Sequence, residues 1–116
     1  MSERGDEITI ADFEKVDIRV GRVLSAEPLA GARKPAYQLR IDFGPELGEK
    51  QSSAQLTARY RAEDLVGRLV LAVVNFPPRR IAGFRSEVLT LGVADANGDV
   101  ALITPDADVP LGARLF

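Results

Sequence analysis

Leu69-Val70-Leu71-Ala72-Val73-Val74-Asn75-Phe76-Pro77-Pro78-Arg79-Arg80-Ile81-Ala82-Gly83-Phe84-Arg85-Ser86-Glu87-Val88-Leu89 is the stretch on which the reading of this chain turns. Its first six residues are continuously apolar, short and rich in β-branched side chains, the pattern of the most buried strand in a sheet. Two prolines end that strand. Three arginines and two phenylalanines then gather around Gly83 before the chain turns apolar again. A proline-fixed loop of this kind carries guanidinium donors, flat apolar surface and free backbone groups on one rim. Such a rim suits an anionic strand or an extended peptide, and it contains no nucleophile with its base.

Upstream, the hydrophobic period is two. Ile18, Val20, Leu24 and Ala26 share one phase, and Asp17, Arg19, Ser25 and Glu27 share the other. Arg22 and Val23 break the alternation after Gly21, which predicts a bulge or sharp bend in a long curved strand. Tyr37, Leu39, Ile41 and Phe43 alternate with Gln38, Arg40 and Asp42 up to Gly44-Pro45. Residues 50–56 form a weaker strand, rich in Gln and Ser. Residues 60–66 read as a short helix stopped at Gly67.

Downstream, residues 87–94 and 100–104 flank Asp95-Ala96-Asn97-Gly98-Asp99, where the Asn-Gly pair signals a hairpin. At the N-terminal side, Thr9-Ile10-Ala11-Asp12 resembles a capping box opening a short helix through about residue 15, with Ile10 and Phe13 on one face. Residues 1–7 are polar and read as a disordered tail. Residues 8–116 read as a single domain.

With 116 residues the chain suits one domain with a core of its own. Fifteen basic residues against seventeen acidic ones give a net charge of −2, so the whole molecule is no general polyanion binder. The bases are uneven, however. Arg59, Arg61, Arg68, Arg79, Arg80 and Arg85 meet only Glu63 and Asp64 in their segment, and a local basic patch binds phosphates whatever the net charge. The sequence has no cysteine and no histidine. That excludes thiolate nucleophiles, disulfides, zinc sites built on thiolate or imidazole, and the usual general base near neutral pH. No Ser-Lys spacing substitutes for a triad, and Gly44-Pro45-Glu46-Leu47-Gly48 lacks the ending of a phosphate loop. No catalytic residue, metal site or cofactor is expected. With no apolar leader and no segment long enough to span a bilayer, the expected location is the cytoplasm.

Three strands, a short helix and two or more further strands make a mostly-β chain, and this order is that of an OB-fold, a five-stranded Greek-key barrel. Here it carries a short N-terminal helix, a short helix after the third strand and a C-terminal extension. Asp17-Ile18-Arg19-Val20-Gly21, Asp42-Phe43-Gly44, Gln51-Ser52-Ser53-Ala54-Gln55 and Val73-Val74-Asn75-Phe76-Pro77-Pro78-Arg79-Arg80-Ile81, in this order and spacing, resemble the CsaA family of secretion-associated chaperones. Those are stand-alone members of the tRNA-binding-domain superfamily, whose relatives are appended to methionyl- and phenylalanyl-tRNA synthetases. The resemblance runs from about residue 8 to residue 116.

It implies a homodimeric OB-fold protein without enzymatic activity that binds unfolded or export-bound polypeptides. The wider superfamily implies tRNA binding through the barrel face and the loop before the penultimate strand. Synthetase-type domains read Ser-x-Gly-Met after the basic loop. Here the run is Ser86-Glu87-Val88-Leu89, which adds a carboxylate.

The residues sort accordingly. For a peptide site they are Gln51, Ser53, Asn75, Arg79, Arg80, Ile81, Phe84 and Ser86, with apolar client side chains expected around Ile81 and Phe84. For RNA they are Lys34, beside Arg33, with Arg79, Arg80, Arg85 and Ser86 on phosphates. Phe76 continues the buried run and is expected to close the end of the barrel. The plainer alternatives are a solvated loop for the arginines and a polar outer face for the Gln/Ser strand. Ile10, Phe13, Leu111, Leu115 and Phe116 are more apolar surface than so small a barrel can bury, and are expected at a two-fold dimer interface.

Overall fold

The computed structural model of the chain describes residues 4–116. In chain order the elements are α1 (Ile10–Glu14), β1 (Ile18–Pro28), β2 (Tyr37–Asp42), β3 (Glu49–Ala54), α2 (Ala62–Leu65), β4 (Leu69–Val73), β5 (Arg79–Ile81), β6 (Phe84–Ser86), β7 (Leu89–Thr90), β8 (Gly92–Ala94) and β9 (Val100–Leu102). Residues 1–3 of the expected tail lie outside the described residues, and residues 4–9 are exposed and form neither helix nor strand.

Alternating side chains bring five strands into one antiparallel sheet, ordered β3-β2-β1-β4-β7. After β3 the chain crosses through α2 and returns as β4 on the far side of β1, a Greek-key connection. The sheet then curls until β3 meets the segment after β6. Glu87 N–H donates to the Gln51 carbonyl at 2.8 Å, Gln51 N–H donates to Glu87 Oε1 at 3.0 Å, and Ser53 N–H donates to Ser86 Oγ at 3.0 Å. Ser52, fully buried, hydrogen-bonds the Thr90 hydroxyl at 2.8 Å and donates to the Val88 carbonyl at 3.1 Å. These bonds nearly close a five-stranded barrel of the OB type.

The inward faces make one core of Val23, Tyr37, Leu39, Ile41, Phe43, Leu56, Leu65, Val70, Ala72 and Val88. The apolar run at 69–74 supplies its most continuous stretch: Val70, Leu71, Ala72 and Val73 are all buried. A buried side chain of this size contributes roughly 1.5–3 kcal/mol. Gly21 is fixed by close approach. A Cβ there would stand 2.5 Å from Ile41 Cγ2 and 2.8 Å from the Phe43 ring, so β1 packs onto β2 only without a side chain at that point. Tyr37 OH donates to the Tyr60 carbonyl at 2.8 Å, and Leu102 N–H donates to Tyr60 OH at 3.0 Å, joining β9 to the barrel.

Several boundaries differ from the sequence reading. The bulge in β1 lies between Val23 and Ser25, one residue beyond the break in pattern, because Gly21 still pairs with Val70. Leu24 therefore points outward, 37% exposed, and does not share the inward phase of Val20. The helix after the third strand is shorter, Ala62–Leu65. The strand expected over 87–94 breaks at Leu91 into β7 and β8. Around Asn97-Gly98, Asp95 holds the hairpin connection by accepting the Asn97 and Asp99 amides at 2.8 and 3.0 Å. Those backbone bonds hold its carboxyl below its ordinary value.

At the other end, Thr9 and Asp12 form the expected reciprocal capping box on α1. The C-terminal extension runs antiparallel to the start of β1. Val20 N–H donates to the Ala113 carbonyl at 3.0 Å and Leu115 N–H to the Ile18 carbonyl at 2.9 Å. Arg114 donates to the Glu14 carbonyl at 2.7 Å, tying this extension to α1. Leu111 and Leu115 are thereby partly buried within the single chain. Phe13 is also partly buried, whereas Ile10 is 76% exposed and Phe116 fully exposed. Among the described residues no helix is long and apolar enough to cross a membrane.

Candidate functional site

The chain leaves β4 through Asn75, whose side chain uses both ends internally. Its Nδ2 donates to the Lys15 carbonyl at 2.8 Å, and its Oδ1 accepts the Asp17 amide at 3.0 Å. Asn75 anchors the base of the segment that follows. Pro77 and Pro78 then set the direction of β5.

The stretch read as a loop is in fact a tight hairpin. β5 and β6 pair Arg79 with Ser86, Arg80 with Arg85 and Ile81 with Phe84. Ala82 (φ 51°) and Gly83 (φ 80°) form the two-residue turn, both left-handed as a type I′ turn requires. The hairpin was hidden in the sequence because each strand has three residues, its central pair joins like charges, and its turn reads Ala-Gly.

Two adjoining cavities lie along this hairpin. The first, about 350 Å³, is lined by Phe76, Pro77, Ile81, Val88 and Leu89, with Ser53, Arg79, Ser86 and Glu87 at its margins. The second, about 700 Å³ and more open, lies between the hairpin and residues 31–36. Arg33, Lys34, Arg79 and Arg80 border it with Gln55, Ser53 and Ile81. Among the described residues no carboxylate lines this second cavity. Ser53, Arg79 and Ile81 border both, so the two form one surface, apolar at one end and cationic at the other. It lies where OB-folds hold ligands, beside the third strand and between the loops after the first and fourth strands.

The expected residues fall in four places. Ser53, Arg79, Arg80, Ile81 and Lys34 meet on this surface. Gln51 and Phe84 border a separate, smaller cavity of about 240 Å³ with Ser25, Glu27, Gln38, Leu39 and Arg40. Arg85 is exposed beside Pro78, Arg79 and Arg80. Asn75 and Ser86 are engaged internally, the latter accepting the Ser53 amide. The Glu87 carboxylate is likewise bonded to Gln51 N–H and does not reach into the cationic cavity.

Phe76 corrects the sequence reading. It is 50% exposed and walls the apolar cavity, because Pro77-Pro78 carries the chain away from the barrel before the ring can close its end. Leu89 was also missed: at the start of β7, next to the buried Val88, it is 44% exposed and walls the apolar cavity.

The arrangement can bind, placing apolar contact next to guanidinium and ammonium donors. Residues 18–114 match the family described as "Putative tRNA binding domain". The chaperone CsaA of Bacillus anthracis is a solved structure 51% identical, matching 96% of this chain and 100% of its own with a TM-score of 0.89. The CsaA chaperone protein of Picrophilus torridus is 47% identical over 95% of this chain and 100% of its own, with a TM-score of 0.88. Among curated proteins, the methionine–tRNA ligase of Methanocaldococcus jannaschii is 34% identical over 97% of this chain but 17% of its own length, and that of Thermotoga maritima 36% identical over 99% and 18%. The chain thus spans less than a fifth of these ligases. With the family match covering the barrel from β1 to the C-terminal extension, this chain belongs to the tRNA-binding-domain family.

Proposed function

We propose that the protein holds extended segments of unfolded or precursor polypeptides as an ATP-independent chaperone-like binder. The observation that carries this reading is the apolar cavity at Phe76, Pro77, Ile81, Val88 and Leu89, open to solvent beside an ion-lined groove. A client's apolar side chain enters that cavity and leaves water. Arg79 and the polar groups around Ser53 meet the client's backbone carbonyls and carboxylates. Shielding of this kind needs no bond-breaking step and no cofactor. The similarity to two chaperones along nearly the whole chain supports it. The protein acts in the cytoplasm as a homodimer, with Ile10 and Phe116 as the exposed apolar residues that a second copy covers.

A second reading has its own observation. Arg33, Lys34, Arg79 and Arg80 border a cavity that no carboxylate among the described residues lines, an arrangement that suits the phosphates of tRNA, as the family description suggests.

Fluorescence anisotropy with a labelled unfolded peptide and a labelled tRNA, each at two salt concentrations, separates them. Phe76→Ala should weaken peptide binding by at least about 2 kcal/mol, as loss of an apolar anchor does. Arg79→Ala with Arg80→Ala should weaken tRNA binding more, and flatten its salt dependence by about one log–log unit per lost phosphate contact. Tight tRNA binding near physiological salt, with no peptide binding, would reverse the order of the two readings.

A further inference from the structure

Arg19, Arg40, Arg59, Arg61 and Arg114 each stand within 4.0 Å of an Asp or Glu oxygen. Arg22, Lys50, Arg68 and Arg85 lack a carboxylate within 4.0 Å among the described residues, so what sets the cations of the site apart is that four of them share one cavity. Arg33, Lys34, Arg79 and Arg80 border it, and among the described residues none of them pairs with a carboxylate. In a chain whose acidic residues outnumber its basic ones, four neighbouring cations without a partner are an unmet demand for negative charge. The apolar cavity adjoins this group directly, sharing Ser53, Arg79 and Ile81 with it. A ligand that fills both needs an apolar side chain and an anionic one within a few residues of each other.

Resting on the peptide-holding reading, we infer that the site selects client segments in which an apolar residue is followed or preceded closely by Asp or Glu. The apolar side chain occupies the cavity at Phe76 and Leu89. The carboxylate lies between the hairpin and residues 31–36, meeting Arg79 or Arg80 from one side and Arg33 or Lys34 from the other. Lysine-rich segments are disfavoured at the same place by like charge. The selection is a specificity-determining property of the Arg33/Lys34 loop as much as of the hairpin.

The test uses three labelled unfolded peptides of equal length: one with leucines flanked by aspartates, one with leucines flanked by lysines, and one with the leucines replaced by serine among aspartates. Binding is measured by anisotropy at low and moderate salt, with the full chain and with Arg33→Glu/Lys34→Glu, whose folding is checked by circular dichroism. Several exposed ion pairs together should favour the leucine–aspartate peptide about tenfold over the leucine–lysine peptide at low salt. That gap should shrink as salt screens it. The serine–aspartate peptide should bind weakly, since it leaves the apolar cavity unfilled. The double variant should reverse the order of the two leucine peptides. Equal binding of both leucine peptides, or a preference for lysine in the unaltered chain, would overturn the selectivity while leaving the peptide-holding reading intact. Failure of all three to bind while a single-stranded RNA does would overturn both.

Discussion

Arg80 stands directly opposite Arg85 across the β5–β6 hairpin, and neither has a carboxylate partner among the described residues. Like charges facing each other on adjacent strands are destabilising, so the hairpin gives up local stability to present positive charge. Arg85→Glu should therefore raise stability by about 0.2–1 kcal/mol in urea unfolding. The same change should weaken binding of any anionic ligand. A drop in stability would contradict the view that the pair is held for binding.

The turn at Ala82 makes a second local concession. Ala82 adopts φ 51°, a region that a residue with a Cβ enters at a cost, and it borders the cationic cavity. Ala82→Gly should stabilise the protein by about 0.5–1 kcal/mol, the left-handed cost relieved less the entropy glycine adds to the unfolded chain. Thermal unfolding at matched concentration measures it.

Asn75 is expected to matter for folding and not for contact with a client. Asn75→Ala leaves the Lys15 carbonyl and the Asp17 amide without their partner, and should cost about 1–2 kcal/mol. At a temperature where the variant is folded, its peptide affinity should equal that of the unaltered chain. A selective loss of affinity with unchanged stability would return Asn75 to the binding surface.

Much of the barrel was legible in the sequence, and less of the site. The period-two segments gave the barrel, because inward and outward faces of a half-buried strand are written directly into alternation. The run at 69–74 gave β4, the most continuously buried strand, because an unbroken β-branched apolar run marks a strand covered on both faces. The hairpin escaped because three residues per strand are too few to display a period, and its pairing is decided by β3 and the prolines around it. The side chains of Asn75 and Ser86 read as free polar groups, since a single sequence does not show that Lys15, Asp17 and Ser53 come within hydrogen-bonding distance. Phe76 was placed inside because it follows an apolar run, although the prolines after it turn the chain outward. That Arg79, Arg80 and Ile81 lie together was legible because they are consecutive after the prolines, whereas Lys34 came from the family resemblance and is brought beside them only by the fold.

The proposed dimer rests on the terminal elements. α1 and the C-terminal extension are tied together through Arg114 and the Glu14 carbonyl, with Ile10 and Phe116 left in water. Size exclusion with light scattering at micromolar protein should give twice the chain mass. Ile10→Asp with Phe116→Asp should shift it toward the monomer, each large apolar side chain covered being worth roughly 1.5–3 kcal/mol. A single chain mass for the unaltered protein would remove the dimer.

The peptide-holding account is tested most directly by NMR titration of the isotope-labelled protein with an unlabelled unfolded peptide, following backbone amides and methyl groups together. Shifts should concentrate at Ser53, Phe76, Ile81, Val88 and Leu89 and saturate with the anisotropy signal, leaving Leu65 and the Asp95–Asp99 connection unmoved. Shifts confined to α1 and the C-terminal extension, or none at saturating peptide, would contradict it.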